Sequence, residues 1–214
     1  MGGCVPASGL SPAPADFIRS RLALEPLPFR PDISLYRPTP RSGLHAWLAA
    51  GGRDGAAPYW AYAWAGGAAL ALYLRDHPEC VAGRSVLDFG AGSGLVAIAA
   101  ARAGAAAVFA VEPDPVGRVA ARLNAEANQV TLTLIDAMAG TDIVLAGDVF
   151  YDPAIAARTL PLLQEALASG AEVLVGDPFR RDLPHAAIQQ IAEYSVPDMG
   201  SETPVPAGIF ALHP

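Results

Sequence analysis

The sequence predicts an α/β protein: a mostly parallel sheet of seven strands, helices on both faces, and an antiparallel edge at the C-terminus. Three observations predict it. From Trp64 onward, short apolar runs alternate with amphipathic segments, the pattern of strands buried on both faces. One run, Val86 to Phe89, passes directly into the turn Gly90-Ala91-Gly92-Ser93-Gly94, where a strand gives way to a helix. The chain has 214 residues, 52% apolar and 16% charged, enough for one well-filled core and incompatible with global disorder.

Taken in order, residues 1–15 are mostly Pro, Ala, Gly and Ser and read as a flexible tail. Residues 16–52 form an N-terminal extension. Asp16 is placed to cap a short helix, Phe17 to Leu24. Pro26, Pro28, Pro31, Pro38 and Pro40 then impose an extended path to about Arg41, because each fixes φ and restrains its predecessor. Ser42 can cap a second helix, Leu44 to Ala50, ended by Gly51-Gly52. Residues 53–214 form the main domain. Helix 65–76 stops before Pro78; strand 85–89, helix 93–103 and strand 107–111 follow. Asp114 caps a helix that carries Pro115 at its first position and runs to Ala127, a favoured pairing. Strands 130–135 and 142–146, helix 154–168, strand 171–175 and helix 184–191 come next. Strands near 193–196 and 209–212 close the chain and can pair as the antiparallel edge.

The composition narrows the function. The formal charge is −7, from 21 acids against 14 bases, and every base is Arg. A nucleic-acid partner, which wants a clustered basic surface, is not expected. No apolar run is long enough to suggest a membrane partner. Cys4 and Cys80 are too few for a disulfide framework, and the start lacks a signal-like pattern, so a cytoplasmic location is expected. A monomer is the expected state. His45, His77, His185 and His213 share no ligand spacing with the cysteines, so no metal is expected.

The strand-end glycine turn is where an open parallel sheet binds its ligand. Glycine permits close approach and φ values closed to other residues. The spacing is G-x-G-x-G rather than the G-x-G-x-x-G of dinucleotide folds, with Leu95 at the expected third glycine. This disfavours a nicotinamide oxidoreductase. Val86 to Gly94 resembles motif I of the class I S-adenosylmethionine-dependent methyltransferases, which implies a Rossmann-like sheet and S-adenosyl-L-methionine as methyl donor. Pro58 to Gly67 (PYWAYAWAGG), Gly147-Asp148-Val149-Phe150-Tyr151-Asp152 and Gly176-Asp177-Pro178 are more specific. Together they resemble the electron transfer flavoprotein β-subunit lysine methyltransferases. The chain departs from that pattern at Phe179-Arg180-Arg181, where Gly-Arg is expected.

The resemblance implies a site. Asp88, Gly90, Gly92 and Gly94 belong to the glycine turn; Glu112 binds the ribose hydroxyls; Asp136 meets the adenine amine. Trp60 and Trp64 line the methionine end, with Gly66 and Gly67 allowing close approach, or else they pack the N-terminal segment onto the sheet. Asp148 borders the cofactor and binds the acceptor amine, and Tyr151 and Phe150 wall it. A lysine amine, with an ordinary pKa of about 10.4, must lose a proton before it attacks, and an anchoring acid between aromatic faces suits that task. The implied function is protein-lysine N-methylation of the β-subunit of electron transfer flavoprotein. A ribosomal protein L11-type or other protein methyltransferase, and a non-catalytic S-adenosylmethionine-binding protein, are the alternatives.

Overall fold

A computed structural model describes residues 12–199 and 203–213. The expected tail falls mostly outside them; within them, Pro14 and Ala15 belong to a helix rather than to a tail. The order is α1 (Pro14–Arg21), β1 (Ala23–Leu27), β2 (Arg30–Arg37), α2 (Leu44–Ala50), α3 (Ala65–Asp76), β3 (Ser85–Phe89), α4 (Leu95–Arg102), β4 (Ala107–Val111), α5 (Pro115–Ala127), β5 (Thr133–Ile135), β6 (Ile143–Gly147), α6 (Pro153–Ala168), β7 (Glu172–Asp177), β8 (Ile188–Pro197) and β9 (Pro204–Leu212). Short 3-10 turns sit at Tyr59–Ala61 and Pro78–Cys80.

The main sheet runs β5-β4-β3-β6-β7-β9-β8. Its first five strands are parallel, and β9 joins β7 and β8 antiparallel, so the predicted class and C-terminal edge are found. Strand order reverses between β3 and β6. That switch point opens a crevice at the C-terminal ends of β3, β4 and β6, where the functional residues gather.

Two cores hold the sheet. One face packs against α3 and α4 through Leu70, Leu74, Val86, Ile98, Ile143 and Leu145; the other packs against α6 through Leu87, Val144, Leu163, Val175 and Phe210. Helix α3 crosses β6 and β7 at glycines. A Cβ on Gly66 would overlap the Gly176 carbonyl and stand 2.7 Å from Asp148 Oδ2; one on Gly147 would stand 2.9 Å from Gly67 Cα. These small residues let the helix sit almost on the backbone, and so bring α3 to the site.

Three local readings are corrected. The proline-rich stretch after α1 is a hairpin, β1 against β2, not an extended path. Pro26 faces Ser34 beside a register shift, and a two-stranded ribbon tolerates proline because its outer N–H groups need no strand partner. The ribbon's free edge is satisfied by α5: Tyr36 N donates to Asn124 Oδ1 at 2.8 Å, and Ser34 N donates to Asn128 Oδ1 at 2.9 Å. Ser42 is not a helix cap; its hydroxyl accepts from Thr39 N, and Gly43 at φ +67° leads into α2. Residues 184–191 are not a helix. Pairing with β9 along most of β8 outweighs local helical propensity, and the register shift around Ile191 leaves that side chain exposed.

The extension is bound to the domain. Phe17, Ile18, Leu44 and Leu48 form one cluster with Trp60, Val116 and Leu123. Phe17 stacks on Trp47 at 4.3 Å.

Candidate active site

The crevice is a cavity of about 1020 Å³ whose walls include Trp60, Trp64, Gly90, Gly92, Glu112, Asp136, Asp148 and Tyr151. Eight of the sequence-predicted site residues thus meet in one place. No residue of 16–52 lines it; the extension instead braces Trp60 from behind.

The glycine turn is held from below by Asp88, which is buried and accepts from Ala97 N at 2.9 Å. Asp88 thereby ties the end of β3 to the first turn of α4, and it borders a narrower recess beside Gly92 and Asp148 rather than the main cavity. Gly90, Gly92 and Gly94 have φ of +75°, +51° and +79°, which side-chain-bearing residues rarely adopt. Gly94 faces away from the cavity: a Cβ there would stand 3.2 Å from Ala121, so its smallness lets α4 and α5 approach.

Burial lifts the Asp88 carboxyl to about 7, helped by Glu112 and opposed by the Ala97 N–H. The unfolded chain titrates this group near 3.9. The native state therefore holds an extra proton between the two values, and stability falls as pH rises from about 4 through 7. Asp88→Asn keeps an acceptor for Ala97 N but cannot ionise. It is expected to melt above wild type at pH 8 and to lose that advantage by about pH 5, read as Tm across the series.

Glu112, at the end of β4, lies against the glycine turn. Its Oε2 accepts from Gly92 N at 2.6 Å and its Oε1 from Asp114 N at 2.7 Å. Gly117 makes room for it, since a Cβ there would stand 2.8 Å from Glu112 Cγ. Burial raises the carboxyl, and the two N–H donors hold it back. Each oxygen keeps a lone pair that can accept from a ligand hydroxyl. The buried indole N–H of Trp60, in the same walls, meets no acceptor among the described residues. A carboxylate with spare acceptor capacity, a left-over donor and an open glycine backbone fit an adenosyl ligand with polar ends. Asp136 sits at the rim, its side chain 95% exposed and 3.1 Å from Arg118 Nη2.

Asp148 follows β6 and is buried, with φ +56°. Its N–H donates to Gly176 O at 2.9 Å, its Oδ2 accepts from Gly67 N at 3.0 Å, and its Oδ1 pairs with Arg180 Nη2 at 2.8 Å. Burial raises the carboxyl, against the pull of Arg180 and the Gly67 N–H. The same cavity is lined by clustered aromatic rings: Tyr59 lies 5.2 Å from Tyr151 and 5.6 Å from Trp64. Asp152, next along, caps α6 by accepting from Ala154 N and Ile155 N, so the two neighbouring acids divide into one for the site and one for the fold.

Phe150 is the correction. It is fully buried on the α6 side of the sheet with Leu87, Val144 and Leu163, and walls nothing in the cavity. The left-handed turn at Asp148 breaks the alternation that would have aimed it at the crevice. Phe150→Ala is expected to remove about 3–5 kcal/mol of stability in denaturant titration, with KM for both substrates near wild type in the folded fraction. Sequence reasoning missed Tyr59, Gly117 and the role of Arg180. Tyr59 lay within the quoted PYWA segment. Arg180 carried no local signal, because its pairing depends on β7 lying next to β6.

Comparison with known proteins agrees with this geometry. The profile of the family described as ribosomal protein L11 methyltransferase (PrmA) matches residues 70–157. The electron transfer flavoprotein β-subunit lysine methyltransferase of Rattus norvegicus is 38% identical over 180 residues, covering 78% of this chain and 70% of the rat protein. That of Danio rerio is 40% identical over 157 residues, 68% of this chain and 61% of the zebrafish protein, so the chain spans under two thirds of that relative. Among solved structures, the ribosomal protein L11 methylase of Lactobacillus delbrueckii subsp. bulgaricus shares the fold, with TM-score 0.51 and 21% identity over 68% of this chain and 77% of that one. With the class I methyltransferase sheet, the glycine turn followed by Glu112, and this degree of identity to the rat protein, the chain belongs to the electron transfer flavoprotein β-subunit lysine methyltransferase family.

Proposed function

We propose that this chain, an S-adenosylmethionine-dependent methyltransferase by family, methylates lysine side chains on the β-subunit of electron transfer flavoprotein, the substrate in its relatives' names. The observation that carries the reading is Asp148: a buried carboxylate at the end of β6, lining one cavity with Glu112 and with the aromatic cluster of Trp64, Tyr59 and Tyr151. That is an environment for a cation about to become a nucleophile.

The residues divide the work. Glu112 accepts the ribose hydroxyls and keeps the glycine turn closed through Gly92 N. Trp60 offers its indole N–H, and Asp136 at the rim takes the adenine amine. Gly66 and Gly67 bring the start of α3 close to the methionine end, where Gly67 N also fixes Asp148. Asp148 holds the ammonium of the incoming lysine until its proton leaves to water, and Tyr59 and Tyr151 strip water from its carbon chain. S-adenosylmethionine supplies an electrophilic methyl group on sulfonium; the amine lone pair takes the carbon and the carbon–sulfur electrons remain with sulfur. Alignment of this kind supplies about 7–11 kcal/mol in favourable cases.

The ribosomal reading is weaker, because the profile carrying that description ends at residue 157 and does not reach Asp177 or Arg180. Incubation with radiolabelled S-adenosylmethionine and purified electron transfer flavoprotein tests the choice. Label in lysine of the β-subunit is expected. Label confined to ribosomal protein L11 in a parallel reaction would overturn it.

A further inference from the structure

Arg180 occupies the place where the acceptor amine is expected. Its Nη2 lies 2.8 Å from Asp148 Oδ1, its guanidinium carbon lies 6.0 Å from the centre of the Trp64 ring, and it lines the cavity. A cation between that carboxylate and an aromatic face has the surroundings that a lysine ammonium needs.

Two buried atoms stand out. Among the described residues, Arg180 Nε is buried without a hydrogen-bond partner, and so is Asp177 Oδ2. A buried group left unsatisfied costs about 1–3 kcal/mol. Asp177 Oδ1 already accepts the backbone N–H of Arg180 at 2.6 Å, so the unused acceptor stands near the root of the side chain that carries the unused donor. Rotation of the guanidinium from Asp148 toward Asp177 supplies each with a partner. The loop between them is distinctive: Phe179 has φ +61°, a conformation suited to glycine, and is held there by edge-on packing against Phe210 at 5.6 Å.

We propose that Arg180 gates the acceptor subsite: its guanidinium occupies Asp148 in the free enzyme and yields to the substrate lysine, moving to Asp177. This rests on lysine methylation at Asp148 as given above. A gate of this kind favours acceptors whose docking contacts can displace it and excludes small free amines, which bring none.

The chain's lack of lysine makes a direct test available. Arg180→Lys puts an amine on Asp148 in the full-length enzyme. Incubated with S-adenosylmethionine and no acceptor, this variant is expected to methylate itself at the introduced side chain, as peptide mass spectrometry reads. The label is expected to vanish in Arg180→Lys combined with Asp148→Asn. An unmodified peptide at position 180 overturns the gate, whatever the variant does to an added protein. Self-labelling needs no acceptor, so it still reads the gate if the flavoprotein proves the wrong substrate, and the two ideas fail separately. Arg180→Gln gives the second measurement. If the gate is shut in about nine molecules of ten, removing it lowers KM for the acceptor protein about tenfold, with S-adenosylhomocysteine affinity changed less than about threefold. A fall in kcat at unchanged or higher KM would make Arg180 a fixed part of the site and overturn the proposal.

Discussion

Asp148→Asn is expected to lower kcat/KM for the acceptor protein by about 10²- to 10³-fold, the loss usual when one preorganised charged contact at a reacting centre is removed. Asparagine is the informative substitution. It tolerates the left-handed backbone at this position better than other uncharged residues, and its amide oxygen still accepts from Gly67 N. Folding and the shape of the cavity are therefore preserved, and what disappears is the negative charge. S-adenosylhomocysteine affinity, read by calorimetry, is expected to stay within about threefold of wild type, because the cofactor's polar anchors lie elsewhere. A variant that keeps wild-type turnover would remove Asp148 from the chemistry. One that loses cofactor affinity in proportion to activity would reassign it to cofactor binding.

Glu112→Ala is expected to act at the other end. Hydrogen bonds to a charged group contribute about 1.5–3 kcal/mol each. Losing the carboxylate proposed to serve both ribose hydroxyls is expected to weaken S-adenosylhomocysteine by about 100-fold, while kcat at saturating S-adenosylmethionine stays within about threefold of wild type. Glu112 also holds the glycine turn through Gly92 N and the start of α5 through Asp114 N, so the alanine variant loses order as well as contact. Glu112→Gln separates the two. It retains an oxygen acceptor for one backbone N–H and is expected to weaken binding only about tenfold. Equal losses in the alanine and glutamine variants would show that only the charge matters.

How much of this was legible in the sequence depended on whether the deciding interaction was local. Helix α3, strands β3 and β4, and helix α5 were read to the residue, because their boundaries are written in caps, prolines and short apolar runs. Asp114 before Pro115 is such a signal, and its side chain does accept from Val116 N. The β1–β2 hairpin was not legible, since Pro26 and Pro31 break the usual strand pattern and the stabilising partners, Asn124 and Asn128, lie far along the chain. The first part of strand β8 was misread as helix for a related reason: Pro184 to Ile191 carries local helical preference, and only pairing with β9 overrules it. Its later part, near 193–196, was read as strand. The candidate site divides the same way. The glycine turn, Glu112 and Asp148 sit at strand ends that the pattern locates. Phe150 turned out differently because one left-handed residue changes the direction of every side chain after it. Arg180 could be found only once β6 and β7 were known to be neighbours.

In the proposed complex the glycine turn and Glu112 grip the adenosyl group so that the sulfonium end faces Asp148. A crystal structure with S-adenosylhomocysteine is the decisive measurement. Both ribose hydroxyls are expected within about 3 Å of the Glu112 carboxylate, and the sulfur at the Asp148 end of the cavity. A ligand seated with its ribose away from Glu112, or with its sulfur at the Asp136 rim, would contradict it.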